Sequence, residues 1–149
     1  MPATIIVLLL LNSCIGDTIL HEYKHIDRNG WGRTDTLSFN IHNINTCGAL
    51  AFSTKLRTHA SFQLKGVWVA RKLTLHNPEF SMTDTLYIYT QNNGILQKGS
   101  GVTITTFSQT DTLDFIKKGQ YGTLQLYHVM SKEYLLGIQD IGTCIEYCR

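Results

Sequence analysis

The sequence predicts an all-β protein, an antiparallel β-sandwich of jelly-roll type. Three observations point there. From Thr18 onward apolar residues recur at every second position, the period of a strand with one buried face. Clusters of Asn, Asp, Gly and Pro interrupt those runs at short intervals, as turns between strands do. No stretch repeats its apolar residues at helical spacing, so no helix is expected to cover the sheets. A closed barrel would satisfy the same pattern and is the alternative.

The first expected strand runs from Thr18 to Ile26 and ends at the turn-forming Asp27-Arg28-Asn29-Gly30. In the next, Leu37, Phe39 and Ile41 alternate with Ser38, Asn40 and His42 before the polar Asn43 to Asn45. Leu50, Phe52 and Leu56 then alternate with Ser53, Lys55 and Arg57. Val67, Val69, Leu73 and Leu75 form the core face of another strand, closed by Asn77-Pro78. Leu86 and Ile88 follow, with Tyr87 and Tyr89 on the reverse face, and the run stops at Asn92-Asn93-Gly94. After Lys117-Lys118-Gly119 come Leu124 and Leu126, then Ile141, Ile145 and Tyr147. Roughly eight strands separated by turn signals suit a two-sheet sandwich.

The first 14 residues, MPATIIVLLLLNSC, are of another kind. Ile5 to Leu11 is an unbroken apolar run of seven, far short of the roughly 20 needed to span a bilayer. It has the length of a signal-peptide apolar region. Leu11-Asn12-Ser13-Cys14 is similar to a lipobox, with an aliphatic residue three before the cysteine and a small one just before it. In that chemistry the Cys14 thiol takes diacylglycerol and residues 1–13 are removed. Residues 14–149 then form a single sandwich domain tethered to a membrane by lipid. No Lys or Arg precedes the apolar run; either the true start lies upstream or the free amino terminus supplies the charge. The competing reading, a buried N-terminal strand with an incidental cysteine, is weaker because nothing polar alternates within the run.

The net charge of +2 includes no basic stripe, which argues against nucleic acid as a partner. Near-neutral charge with 10% aromatics also argues against disorder.

Few residues invite chemistry. His21-Glu22-Tyr23-Lys24-His25 fits the H-E-x-x-H of zinc proteases, but that chemistry needs a helix to aim both imidazoles at one metal. In a strand, residues four apart stand about 13 Å apart, so a chance match is expected. Cys47, Cys144 and Cys148 match no zinc spacing. Cys144 and Cys148 would be about 13 Å apart on one strand face, too far for a disulfide, whereas a bridge from Cys47 to either is open. Thr-Asp-Thr-Leu occurs at Thr34–Leu37, Thr83–Leu86 and Thr110–Leu113. Its plain reading is a turn-ending Asp followed by a strand start. Asp35, Asp84 and Asp111 would form a cation site only if all three turns met at one end of the sandwich. Gly99-Ser100-Gly101 reads as a tight turn, not a phosphate loop. No catalytic residues, metal ligands or cofactors are expected.

Four further segments carry a resemblance when taken in order. Gly30-Trp31 precedes Asp35-Thr36-Leu37-Ser38-Phe39, and Leu56-Arg57 precedes an aromatic stretch ending in Val67-Trp68-Val69. Asp84-Thr85-Leu86 precedes Gly94 and Lys98-Gly99-Ser100-Gly101. Lys118-Gly119-Gln120-Tyr121 and Met130 precede Leu136-Gly137-Ile138-Gln139-Asp140-Ile141-Gly142, the most specific of the four. Together they resemble the GldH family of gliding-motility lipoproteins from Bacteroidetes, over about residues 14–147. Two places depart from that family: Phe62-Gln63-Leu64 stands for a tyrosine-proline-tyrosine-like stretch, and Gly66 stands where asparagine is expected.

The resemblance implies a lipoprotein that supports gliding motility and is linked to the type IX secretion machinery, with no catalytic residues to carry over. The expected function is therefore non-enzymatic. Its partners would be the membrane, through the anchor, and other envelope motility or secretion proteins, met by Trp31, Arg57 and Trp68. The alternative is a surface lipoprotein that binds glycan through exposed aromatics such as Trp31, Trp68 or Tyr89. A platform of aromatics exposed on one concave face would favour glycan, and aromatics buried between sheets would favour the scaffold. Outer-membrane placement facing the periplasm is expected, because Ile15 and not aspartate follows Cys14 and Asp17 is the only nearby acid.

Overall fold

The computed structural model describes residues 18–45, 47–91, 95–98 and 103–148. Every regular element among them is a strand: β1 (Thr18–His25), β2 (Trp31–Gly32), β3 (Leu37–Ile41), β4 (Leu50–His59), β5 (Gly66–His76), β6 (Phe80–Tyr89), β7 (Ile95–Lys98), β8 (Thr103–Leu113), β9 (Tyr121–His128), β10 (Tyr134–Leu135) and β11 (Ile138–Tyr147). The leader, Cys14, the Asn92-Asn93-Gly94 turn and Gly99-Ser100-Gly101 lie outside the described residues.

The pairing is that of a long hairpin rolled on itself. β5 and β6 form its tip, and the arms pair outward in nested order as β4 with β8, β3 with β9 and β1 with β11, all antiparallel. Alternate pairs fall into alternate sheets. One sheet runs β1-β11-β4-β8-β7 and the other β3-β9-β5-β6, with β10-β2 as a small third. Such nested pairing split between two sheets is the jelly roll. The sheets do not close into a barrel: β1 and β7 end one, β3 and β6 the other.

Alternation explains which sheet faces meet. Along β4, Leu50, Phe52, Thr54, Leu56 and Thr58 are buried while the residues between them are not. Val67, Val69, Leu73 and Leu75 of β5, with Phe39, Leu124, Leu126, Ile141 and Ile145, complete one continuous core. Each such side chain contributes about 1.5–3 kcal/mol by leaving water. The turn before β2 closes where the Gly30 amide donates to the Asp27 carbonyl at 2.9 Å. Gly30 has a φ of 92° there, which L side chains avoid.

One strand was not foreseen and one expectation is corrected. β8 lay under no apolar alternation: its inward positions are Thr105, Phe107, Gln109, Asp111 and Leu113, register partners of the buried positions of β4. The Thr-Asp-Thr-Leu reading holds only at Asp35, whose Oδ2 accepts from the Gly32 amide at 2.9 Å just before β3. The other two copies lie inside β6 and β8.

Candidate functional site

On β5 the inward row contains one charged residue. Arg71 shares a face with Val69 and Leu73 and is only 2% exposed. A guanidinium in that row needs counter-charges, and two strands supply them. Asp84 is its register partner on β6; Arg71 donates from Nε to Oδ1 at 2.9 Å and from Nη2 to Oδ2 at 2.5 Å. Asp111 belongs to β8 in the opposite sheet, and its Oδ2 is 3.1 Å from the same Nη2. Arg71 Nη1 is buried with no hydrogen-bond partner among the described residues. Arg71 therefore clasps the two sheets together where both have an edge: β6 is outermost in its sheet, and β7 covers β8 only from Thr103 to Thr106.

The outward row of the same hairpin is aromatic. Trp68 lies opposite Tyr87 in the register and Gly66 opposite Tyr89. The Trp68 and Tyr87 ring centroids are 4.9 Å apart, and those of Tyr87 and Tyr89 are 4.7 Å apart, edge to face. Gly66 makes this possible, since a Cβ there would stand 2.2 Å from Tyr87 Cζ. Trp68 is 47% and Tyr89 64% exposed. These rings, with Arg71, Asp84 and Asp111, line a cleft of about 560 Å³ along the β6 edge.

The outer face of the other sheet carries a second cluster. The Arg57 guanidinium lies 3.6 Å from the centre of the Tyr23 ring, and Asp140 forms an ion pair with Arg57 at 3.7 Å and meets His25 at 3.1 Å. Gly142 leaves the room that Tyr23 fills, for a Cβ there would sit 2.4 Å from the ring. Arg57 is thus committed to neighbours and only partly exposed.

This cluster also separates the H-E-x-x-H residues. His21, Tyr23 and His25 take alternate positions on one face of β1, opposite Cys144, Gly142 and Asp140. Glu22 takes the other face, where it pairs with Lys24 at 3.0 Å. The strand keeps the two imidazoles apart and turns the carboxylate away from both. Among the described residues no three His, Cys, Asp or Glu side chains could hold a metal ion. The three-aspartate cation site is not formed either: Asp35 bonds the Gly32 amide, while Asp84 and Asp111 share Arg71.

The family model of the GldH lipoproteins matches residues 18–145. The chain belongs to the GldH lipoprotein family. No curated protein matches it. Among solved structures, a family 35 carbohydrate-binding module from Clostridium thermocellum is similar at 17% identity and a TM-score of 0.44, covering 83% of this chain and 78% of that one.

The remaining expected site residues of this GldH-family chain have plain positions. Trp31 is 0% exposed; its Nε1 donates to the Asp35 carbonyl at 3.0 Å, so its ring reaches no surface where a partner could meet it. It packs edge-on against His128, with centroids 5.3 Å apart. His128 Nε2 lies 3.1 Å from the Trp31 carbonyl and so carries the proton it donates. Burial, with Arg33 nearby, holds the His128 pKa below its usual value against the opposing hydrogen bonds to Trp31 and Glu133. Cys144 is buried and in no disulfide. Burial, reinforced by Glu146, pushes its thiol pKa up, which leaves it protonated and a poor nucleophile. The Cys148 amide donates to the Ala49 carbonyl at 3.0 Å, beside the segment that holds Cys47.

Sequence reading missed Arg71, Asp84 and Asp111 as a unit. A signal was there: Arg71 occupies the apolar parity of its strand, and Asp84 shares parity with Leu86 and Ile88.

Proposed function

We propose that the chain is a non-enzymatic envelope lipoprotein, anchored by lipid on Cys14, that acts through protein contacts in gliding-motility machinery linked to type IX secretion. The observation that carries this reading is the GldH lipoprotein match across residues 18–145. The protein would sit in the outer membrane facing the periplasm, since Ile15 follows Cys14 and Asp17 is the only acid near it. Trp68 is the best placed of the expected contact residues, being half-exposed. Arg57 can offer a partner only the part of its guanidinium that Tyr23 and Asp140 leave open. Trp31 supports the fold from inside.

The test is to replace the chromosomal gene with a Cys14→Ser allele. The variant protein should take up no labelled fatty acid, move to the soluble fraction and fail to support colony spreading or secretion. Retained label and membrane partitioning would remove the anchor from the reading. Normal spreading and secretion in a strain lacking the gene altogether would remove the motility role.

A further inference from the structure

We infer that the cleft along the β6 edge is a binding site for a neutral carbohydrate, with Trp68, Tyr87 and Tyr89 as its apolar wall and Asp84 and Asp111 as its hydroxyl acceptors. The inference gives Trp68 a ligand in place of the protein contact offered above; the anchor and the motility role, which depend on Cys14 and on spreading and secretion, are tested separately.

Three features select this ligand chemistry. The first is the wall. Trp68 and Tyr89 keep 47% and 64% of their surface in water and touch Tyr87 between them. Aromatic rings left exposed side by side offer apolar faces with polar tips, which suits a sugar ring with C–H groups on its face and hydroxyls on its rim. The second is the pair of acceptors. An ionised carboxylate has about four acceptor positions; Arg71 uses two hydrogen bonds on Asp84 and a single contact on Asp111. Both carboxylates are about one-third exposed, at 33% and 37%, so acceptor positions remain for a ligand's hydroxyl donors. The third is charge. One guanidinium between two carboxylates leaves a local charge of −1, which disfavours acidic saccharides. The same guanidinium, 3.1 Å or closer to each carboxylate, already supplies a cationic partner, and among the described residues no three His, Cys, Asp or Glu side chains converge to hold a metal. The aromatic wall beside the open acceptors then favours a neutral polyhydroxyl compound.

The site is also held in shape before any ligand arrives. Arg71 fixes both carboxylates, and Gly66 leaves the space in which Tyr87 lies between its two neighbours. Fixing groups in advance lowers the ordering cost of binding. The cleft volume of about 560 Å³ falls within the range of roughly 300–1,000 Å³ common for small-ligand sites.

The experiment is native affinity electrophoresis of the full-length lipoprotein in a detergent without sugar groups. The gels contain laminarin, mannan, xylan or dextran as neutral probes, or alginate as an acidic one. At least one neutral polysaccharide should retard the protein, and alginate should not. Trp68→Ala and Tyr89→Ala should each weaken the retardation about tenfold or more. Both side chains are exposed, so an unchanged melting temperature separates loss of the site from loss of the fold. Gly66→Asn, which displaces Tyr87, should weaken it as well. The inference is overturned if no neutral polysaccharide retards the protein, if alginate does so equally, or if the double Trp68→Ala/Tyr89→Ala variant migrates as wild type does. A photo-crosslinker at position 89 that captures an envelope protein, with no retardation in any neutral gel, would make this surface a protein contact instead.

Discussion

Arg71→Met removes the guanidinium and keeps most of the side-chain volume, leaving Asp84 and Asp111 to face each other without a counter-charge. Breaking a fully buried ion pair by removing one partner costs about 3–5 kcal/mol. Here Arg71 is buried but each carboxylate is about one-third exposed, so water screens part of the loss and about 2–3 kcal/mol is expected. For a chain of this size that is a fall of roughly 4–12 °C in melting temperature. The companion variant replaces all three, Arg71→Met with Asp84→Leu and Asp111→Leu. An ion cluster exchanged for packed apolar groups loses little or gains stability, so the triple variant should melt near or above the wild type. It should also associate. Charges that point inward along an edge prevent two sheets from joining edge to edge, and this variant strips them from β6 and from the part of β8 beyond Thr106, which β7 does not pair. Circular dichroism melts and size-exclusion chromatography with light scattering, both in a Cys14→Ser background, read the two effects separately. A single variant within about 0.5 kcal/mol of wild type, the range of an ordinary surface change, would refute the clasp. A triple variant as monomeric as wild type would refute the edge argument.

Two further outcomes follow from close geometry. Gly66→Ala places a methyl 2.2 Å from Tyr87 Cζ; the far end of that half-buried ring must move, at a cost of about 0.5–1.5 kcal/mol for a side chain pushed off its rotamer, and near-ultraviolet circular dichroism should change as Trp68 loses its neighbour. An unaltered spectrum would mean the ring does not need that space. His128 is held below its ordinary pKa of 6.5, chiefly by burial, so the unfolded chain binds a proton that the folded chain resists. Its contribution is complete above about pH 6.5 and is lost as pH falls from there through the lowered folded value. His128→Gln should flatten the melting temperature between about pH 7.5 and 5, and an equal slope in the variant would assign the acid sensitivity to other groups.

Alternation made most of the long strands readable, because each buries one face against a single core. β8 escaped because its inward row holds Thr105, Gln109 and Asp111 and only two large apolar residues, Phe107 and Leu113. Its remaining signal was Thr content, which favours strands without marking a buried face. The outward placement of Tyr87 and Tyr89 could be read from the buried Leu86 and Ile88. Their meeting with Trp68 could not, since it depends on the β5–β6 register, and alternation within one strand does not fix its pairing with the next. Gly66 was visible as a departure from the family, but its effect on Tyr87 needs that register too. Trp31 and Trp68 looked alike as sequence. The β2–β10 pairing and the Asp35 turn bury the first, while strand parity puts the second in water.

The repeated Thr-Asp-Thr-Leu shows why a short motif has no meaning apart from its element. At Asp35 the chain is turning, and the carboxylate bonds a nearby amide before the strand begins. At Asp84 and Asp111 the same residues are in extended strands, where positions two apart share a face. Leu86 and Leu113 point into the core, so Asp84 and Asp111 must point the same way. Burying an unpaired carboxylate is costly, and the chain meets that cost in two ways. It places both aspartates at the sandwich edge, where water reaches part of each. It also sets Arg71 at the matching parity of β5, in register with Asp84 and within reach of Asp111. The motif thus became a paired anionic site only through its register with a third strand.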